Sequence, residues 1–370
     1  VTTTYLFAGG GTGGHIFPAL AIAEQLARLD PGCRCHFIIS ERPIDRRILE
    51  PRALAFHPIP ARPFGLRPVV LASFVAHWGQ AVRATRAVIR EARAAGPARM
   101  IALGGFVAAP AAQAARVERV PLTLVNLDAA PGKANRWIAL HSRRVFTAAR
   151  APSFESRGWV WVRPIVRTEA IAPWSAPECR RHFGLDPDRP VLLVTGASQG
   201  AASLNHLALS LARAHTRSWK QAGWQVIHQT GQGSAQNVAA AYRQLGVDAV
   251  VREFIDPMGP AWGAATLALS RAGAGSVAEV WANRVPTLFL PYPWHRDRHQ
   301  RRNVEPLLSV GACAVEEDLV DPERNLGRGG AALWSLMLDD HRRARMRIAL
   351  EGLGPADGAQ TVAHAVATDA

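Results

Sequence analysis

The sequence predicts a parallel α/β protein built as two doubly wound domains, and three observations carry that prediction. Short apolar runs of strand length alternate with helical patterns along most of the 370 residues. Two of these runs pass directly into glycine-containing turns that open long helices, at residues 9–14 and 196–200. The length exceeds what one hydrophobic core ordinarily supports, while a 48% hydrophobic fraction is ample for two.

Residues 3–8 form an apolar run closed by glycines, which predicts a buried strand, and the alanine-rich residues 15–29 predict the helix that follows. Between them, Gly9-Gly10-Gly11-Thr12-Gly13-Gly14-His15 permits positive φ and close backbone approach where a helix presents unpaired N–H groups. That is the setting of a phosphate site, and His15 adds a titratable group to it. Gly9, Gly11 and Gly14 satisfy G-x-G-x-x-G. No acidic residue closes the second strand, however, since residues 35–39 run on into Ser40-Glu41-Arg42, and this speaks against a dinucleotide fold site. A tight turn without a ligand is the plain structural alternative.

Runs at 99–103 and 122–125 complete the strands expected of the first half. Residues 149–177 are rich in proline, tryptophan and arginine and poor in helical periodicity, so the boundary falls there. The division is set at 1–162 and 163–370, with the last helix a candidate to pack back on the first domain. The second half repeats the opening: residues 191–195 lead into Gly196-Ala197-Ser198-Gln199-Gly200-Ala201 and a long helix, followed by runs at 225–228, 249–251, 267–269 and 287–290.

Net charge is +14, and all but two of the 43 basic side chains are arginine, the lysines being Lys133 and Lys220. Such a field favours phosphates or anionic lipid. Nucleic acid is disfavoured, because the charge is spread along the chain without a reader motif. Four cysteines, Cys33, Cys35, Cys179 and Cys313, form neither a zinc pattern nor a disulfide scaffold. With no apolar window of membrane-spanning length and no signal-peptide pattern, a cytoplasmic protein is expected. Leu71, Val75, Trp78, Val82 and Ile89 share one helical face beside an Arg83, Arg86, Arg90, Arg93 stripe. This suits either a helix lying on anionic lipid or a core-packing helix with a solvated edge.

Five motifs in order make the reading more specific: Gly10-Gly11-Thr12-Gly13-Gly14-His15 with Pro18-Ala19-Leu20-Ala21; Gly196-Ala197-Ser198-Gln199-Gly200-Ala201 with Asn205; Phe254-Ile255-Asp256-Pro257-Met258; Ser270-Arg271-Ala272-Gly273-Ala274-Gly275-Ser276-Val277-Ala278-Glu279; and His299-Gln300 with Asn303. Together they resemble the MurG family, which makes lipid II from lipid I in peptidoglycan synthesis. The resemblance implies a GT-B fold, two Rossmann-like doubly wound domains facing across a cleft. It implies an inverting glycosyltransferase that takes UDP-N-acetylglucosamine and a polyprenyl-diphosphate acceptor, with no cofactor and no essential metal. Asp297 reads as a helix-start acid rather than a metal ligand. It further implies a protein held peripherally on the inner face of the membrane, with Phe64, Leu66, Phe74 and Trp78 as insertion residues and Arg83 and Arg86 as lipid contacts.

Under this resemblance the donor-binding residues are Thr12, Gly13, Gly14, Asn135, Arg167, Ser198, Asn205, Ile255, Ala274, Gly275, Ser276, Glu279, His299 and Gln300. Gly13, His15, Gly104, Gly105, Asp128 and Asn135 meet the acceptor. The chemistry of the helix start agrees: N–H groups of residues 274–276 suit a diphosphate and Glu279 one turn on suits ribose hydroxyls, while Ile255 matches the family's position that packs and bonds uracil through its backbone. An exposed helix acid and a surface histidine are the plain alternatives for Glu279 and His299. His15 is the leading general base, since an ordinary pKa of about 6.5 suits proton removal; phosphate donation and helix capping are its other readings. Three departures fall mostly on the acceptor side. Aligned on Gly132 and Asn135, Val125-Asn126-Leu127-Asp128 replaces the family's His-Glu-Gln-Asn, so either Asp128 takes over as base or acceptor anchor, or the acceptor differs from lipid I. Gly105-Phe106 replaces a Gly-Tyr, and Arg163-Pro164-Ile165-Val166-Arg167 replaces Asn-Pro-Val-Arg, offering Arg163 or Arg167 to the diphosphate.

Overall fold

The structure, a computed structural model, describes residues 2–368 apart from 12, 66, 151, 197–199 and 295–297. Two compact units emerge: Val1–Arg167 together with Asp357–Ala370, and Thr168–Ala356.

In the first unit, β1 (Thr4–Gly9), β2 (Arg34–Ser40), β3 (Ala55–Ile59), β4 (Ala98–Gly104), β5 (Leu122–Asn126), β6 (Arg144–Thr147) and β7 (Val160–Trp161) form one parallel sheet. Its order is β3-β2-β1-β4-β5-β6-β7. The central strands read as continuous apolar runs because helices cover both faces; every residue of β1 and β5 is buried. The strand order reverses between β1 and β4, whose paired register ends at Gly9 opposite Gly104. Ligands of doubly wound sheets bind at the carboxyl ends of strands at such a reversal. Helix Gly13–Leu29 buries Ile16, Leu20, Ile22 and Leu26 against the sheet, and the terminal helix Gly358–Thr368 packs on it. Arg99 Nη1 ties that terminal helix down by donating to the Val366 carbonyl at 2.7 Å.

The second unit repeats the plan with β8 (Val191–Thr195), β9 (Gln225–Gln229), β10 (Ala249–Arg252), β11 (Leu267–Ser270), β12 (Thr287–Phe289) and β13 (Ala314–Val315). The order is β10-β9-β8-β11-β12-β13, again all parallel, with the reversal between β8 and β11. Trp219, Tyr242 and Trp262 are its largest fully buried side chains.

Four strands have no counterpart among the apolar runs of the sequence. β3 is an edge strand holding His57 and Pro58, and β6 opens on exposed Arg144; neither makes an apolar run. β7 and β13 are two residues each, too short for any period to show. The first helix starts at Gly13 rather than residue 15, because glycine's poor helix propensity hides a start that tertiary packing imposes.

Helix Pro68–Ala95 is buried only at Ala81, Thr85, Ile89 and Ala92. Its first three turns bury nothing, and Val69, Leu71 and Val75 are exposed. The expected single apolar face therefore divides: the C-terminal half packs on the core and the N-terminal half projects. Among the described residues, no helix is long and apolar enough to cross a membrane.

Candidate active site

At the reversal of the first sheet the glycine loop is held from two sides. The Gly11 N–H donates to both oxygens of Asp45, at 3.0 and 2.8 Å, and Arg42 Nη1 donates to the Gly11 carbonyl at 2.9 Å. Gly11 sits at φ +87°, where a side chain would be strained and would also meet the Phe106 ring at 2.5 Å. Gly104 and Gly105, at φ +110° and +76°, close the loop from β4. A Cβ on Gly104 would lie 2.8 Å from Asn135 Oδ1 and 3.2 Å from His15 Nε2, so Gly104, Asn135 and His15 converge with no room for another atom.

His15 lies in the first turn of its helix, and its buried Nδ1 has no hydrogen-bond partner among the described residues. Burial pushes its pKa below the ordinary histidine value, while the charges of Asp128 and Asp45 and the Gly10 backbone pull the other way. Burial thereby favours the neutral imidazole, the form a general base starts from. Asp128 is half-buried on the turn after β5. Its turn is fixed by a chain of amides: Asn135 Nδ2 donates to Asn126 Oδ1 at 3.0 Å, and Asn126 Nδ2 donates to the Asp128 carbonyl at 2.8 Å. Gly13 is buried and Gly14 exposed at the helix start. Arg167 is buried, with its guanidinium 3.9 Å over the Phe17 ring. Arg163, the other arginine offered by sequence, is instead paired with Asp357 at 2.8 Å, which fastens the terminal helix. The first unit thus brings His15, Asp128, Gly104, Gly105 and Asn135 together. Asp45 and Arg42 were absent from the sequence expectation; Asp45 lies in a short helix, Pro43–Leu49, and only the fold brings it to the loop.

In the second unit, helix Ala274–Asn283 opens after Gly273 with no side-chain cap, so its first N–H groups are left to a ligand or solvent. Cβ atoms added to Gly273 or Gly275 would meet nothing within 4 Å among the described residues, so packing against these does not require glycine there. Ser276 is buried at the same turn. Glu279, one turn on, accepts a hydrogen bond from the buried Trp262 indole at 2.7 Å, so it is an anchored carboxylate rather than a loose surface acid. The loop before this helix is locked by Arg271, whose guanidinium pairs with Asp318 at 2.7 Å and bonds the Leu290 carbonyl and Ser203 Oγ at 2.8 and 2.7 Å. Burial alone would push Asp318 up, but bonds from Ser203 and Asn325 and the Arg271 charge outweigh it and hold the carboxyl below its ordinary value. Removing either ion would strand the other in the interior, at a cost of about 3–5 kcal/mol.

Other expected donor residues are placed differently. Asn205 faces inward: its Nδ2 donates to the Thr230 carbonyl at 3.0 Å and its Oδ1 lies 2.9 Å from His228 Nε2. Since that Asn205 oxygen only accepts, His228 carries its proton on Nε2 and accepts from Tyr242 through Nδ1, 3.1 Å away. The buried Ile255 N–H is engaged by Gln229 Oε1 at 2.8 Å, just before the exposed cis Asp256–Pro257 bond. Gln300 Oε1 accepts from the Tyr292 N–H at 2.8 Å, and His299 is half-buried at the start of helix His299–Asn303. Thr12, Leu66, Ser198 and Asp297 lie outside the described residues. Among the described residues, no group of three or more histidine, cysteine or acidic side chains is placed to hold a metal ion.

On the outer surface, Phe64, Phe74, Trp78 and Trp137 make a chain of ring contacts 5.2 to 6.5 Å apart. Arg83 is exposed beside it. Arg86 is not available as a free lipid contact: it and Arg90 both bond Glu118 Oε1, at 2.6 and 3.1 Å.

Comparison with known proteins agrees with this architecture. The chain matches the glycosyltransferase family 28 N-terminal domain over residues 5–147 and the family 28 C-terminal domain over residues 191–353. It is 34% identical to a UDP-N-acetylglucosamine–N-acetylmuramyl-(pentapeptide) pyrophosphoryl-undecaprenol N-acetylglucosamine transferase of a Nocardioides species, covering 94% of this chain and 98% of the relative. The protein of that name from Acidithiobacillus ferrooxidans is likewise 34% identical, over 97% of this chain and 96% of its own. The crystal structure of Acinetobacter baumannii MurG superposes with a TM-score of 0.70 at 23% identity, covering 99% of each chain. A glycotransferase of kitacinnamycin follows at 0.65 and 15%, a likeness of fold alone. The protein is a glycosyltransferase of GT-B fold, and the chain belongs to the MurG family within glycosyltransferase family 28.

Proposed function

We propose that the protein transfers N-acetylglucosamine from UDP-N-acetylglucosamine to the muramyl 4-hydroxyl of lipid I, with inversion, giving lipid II. Kinship over nearly the full length of both chains carries this reading. The chemistry asks for removal of one proton from the acceptor hydroxyl and for stabilisation of charge developing on the leaving diphosphate. In the first unit His15, kept neutral by burial, takes the proton, and Asp128 stabilises the imidazolium that forms. Gly104, Gly105 and Asn135 shape the acceptor side. In the second unit the uncapped helix at Ala274, Gly275 and Ser276 receives the diphosphate, Glu279 the ribose and the Ile255 turn the base. Asn205 contributes by holding the Thr230 turn, and Arg167, His299 and Gln300 complete the donor contacts. The projecting turns of helix Pro68–Ala95, with Phe64, Phe74 and Trp78, seat the protein on the inner, anionic face of the membrane.

The test is UDP release from UDP-N-acetylglucosamine with and without a lipid I analogue. Release that requires the analogue is the expected result; donor binding without release would refute the reading. The replaced segment at residues 125–128 favours a second reading, a related transferase with another lipid or glycan acceptor. Under the first reading Asp128→Ala lowers kcat by roughly 10²- to 10⁴-fold. An unchanged rate would remove Asp128 from the mechanism.

A further inference from the structure

We propose that Asp45 is a positioning residue for this transfer, its carboxylate holding the glycine loop so that His15 is presented in one conformation with a negative charge beside it. The inference rests on the function proposed above.

Asp45 is fully buried, and among the described residues the hydrogen bonds of its carboxylate go to the loop and to the end of β2. Both of its oxygens take the Gly11 N–H, and one of them also takes the Ser40 N–H at 3.0 Å and the Ser40 hydroxyl at 2.5 Å. A buried carboxylate is costly unless its lone pairs are filled, and here the Gly11 N–H and the two Ser40 donors fill them. Glycines lose the most backbone freedom on ordering, so a loop of this composition needs an external clamp to stay in one conformation. Arg42 supplies the opposite jaw, bonding the Gly11 carbonyl and lying 5.1 Å over the Phe106 ring. A Cβ on Gly10 would come within 2.6 Å of Asp45 Oδ2, and one on Gly105 within 2.9 Å of the Gly10 carbonyl. The clamp, the loop and the acceptor-side turn are therefore packed as one unit.

The groups that act on the His15 ring are the acids Asp128 and Asp45 and the Gly10 backbone, with Gly104 and Asn135 packed beside it. Asp45 thus has two effects that can be separated: it places the loop, and its charge favours the imidazolium that proton removal creates. Arg42 shares only the first.

The experiment measures kcat and KM from pH 5 to 9 for the whole protein and its Asp45→Asn and Arg42→Gln variants, with a thermal unfolding scan of each. It also follows the His15 ring by NMR titration. Asp45→Asn should lower kcat by roughly 10- to 100-fold while the donor KM stays within about twofold. Its acid limb, and the His15 titration, should move to lower pH by about one pH unit. Arg42→Gln, an exposed change, should lower kcat several-fold with the acid limb and Tm unmoved. If Asp45→Asn keeps the wild-type kcat and titration, the inference is overturned. If Asp45→Asn does not fold, Arg42→Gln decides, and an unchanged kcat there overturns the clamp. Absence of acceptor-dependent release in the wild type would refute the proposed function, whereas a His15 titration indifferent to Asp45→Asn refutes the present inference.

Discussion

Glycines in this protein serve opposite purposes, and substitution separates them. Gly104 is held at φ +110° with its α-hydrogen against Asn135 and His15. Gly104→Ala should therefore destabilise the protein by about 1–3 kcal/mol, read as a lowered midpoint in urea. Gly275 stands in open space within a helix, where alanine is the better residue. Gly275→Ala should raise stability by about 0.4–1 kcal/mol and yet raise the KM for UDP-N-acetylglucosamine at least tenfold, by keeping the diphosphate off the helix N-terminus. A more stable variant with an unchanged KM would place the diphosphate elsewhere. Both glycines are legible in the sequence as parts of motifs. Which one the fold needs and which one the ligand needs is not, because that depends on atoms from Asn135 and His15 in one case and on empty space in the other.

Helix Pro68–Ala95 shows the same division at the scale of an element. Its period announces an apolar face, but burial begins only at Ala81. Val75 is 64% exposed, so Val75→Asp should leave Tm unchanged while weakening sedimentation with phosphatidylglycerol vesicles. Arg83→Gln should weaken that binding more than Arg86→Gln, since Arg86 is committed to Glu118. Equal effects of the two arginine changes would argue that the whole stripe meets lipid. Adjacent arginines on one stripe look alike in sequence; the glutamate that claims one of them arrives from residue 118.

For the whole molecule, stability should fall as pH drops from 7 towards 3. Burial lowers the His228 pKa to about 3, so between its ordinary value near 6.5 and that value the unfolded chain takes up a proton that the folded one refuses. Stability present above pH 6.5 is then lost with a slope of up to about 1.4 kcal/mol per pH unit. His15, His36 and His57, also lowered by burial, act in the same direction. Asp318, held below its ordinary value, adds a loss at the acid end, as pH falls through the carboxylate range. Urea midpoints across pH 4–7 measure this, and a flat profile would mean that His228 is not neutral in the fold. His228→Gln should flatten the upper part of the curve. The amino-acid sequence by itself determined the parallel α/β class, the two glycine turns and the family, because apolar period, glycine placement and motif order are local properties of the chain. Tertiary structure alone decided that Asp45 grips Gly11, that Asn205 serves His228 rather than facing outward, and that Arg163 pairs with Asp357. Each of these is a pairing of polar groups distant in sequence, and burial forces such groups to find partners that no local pattern names.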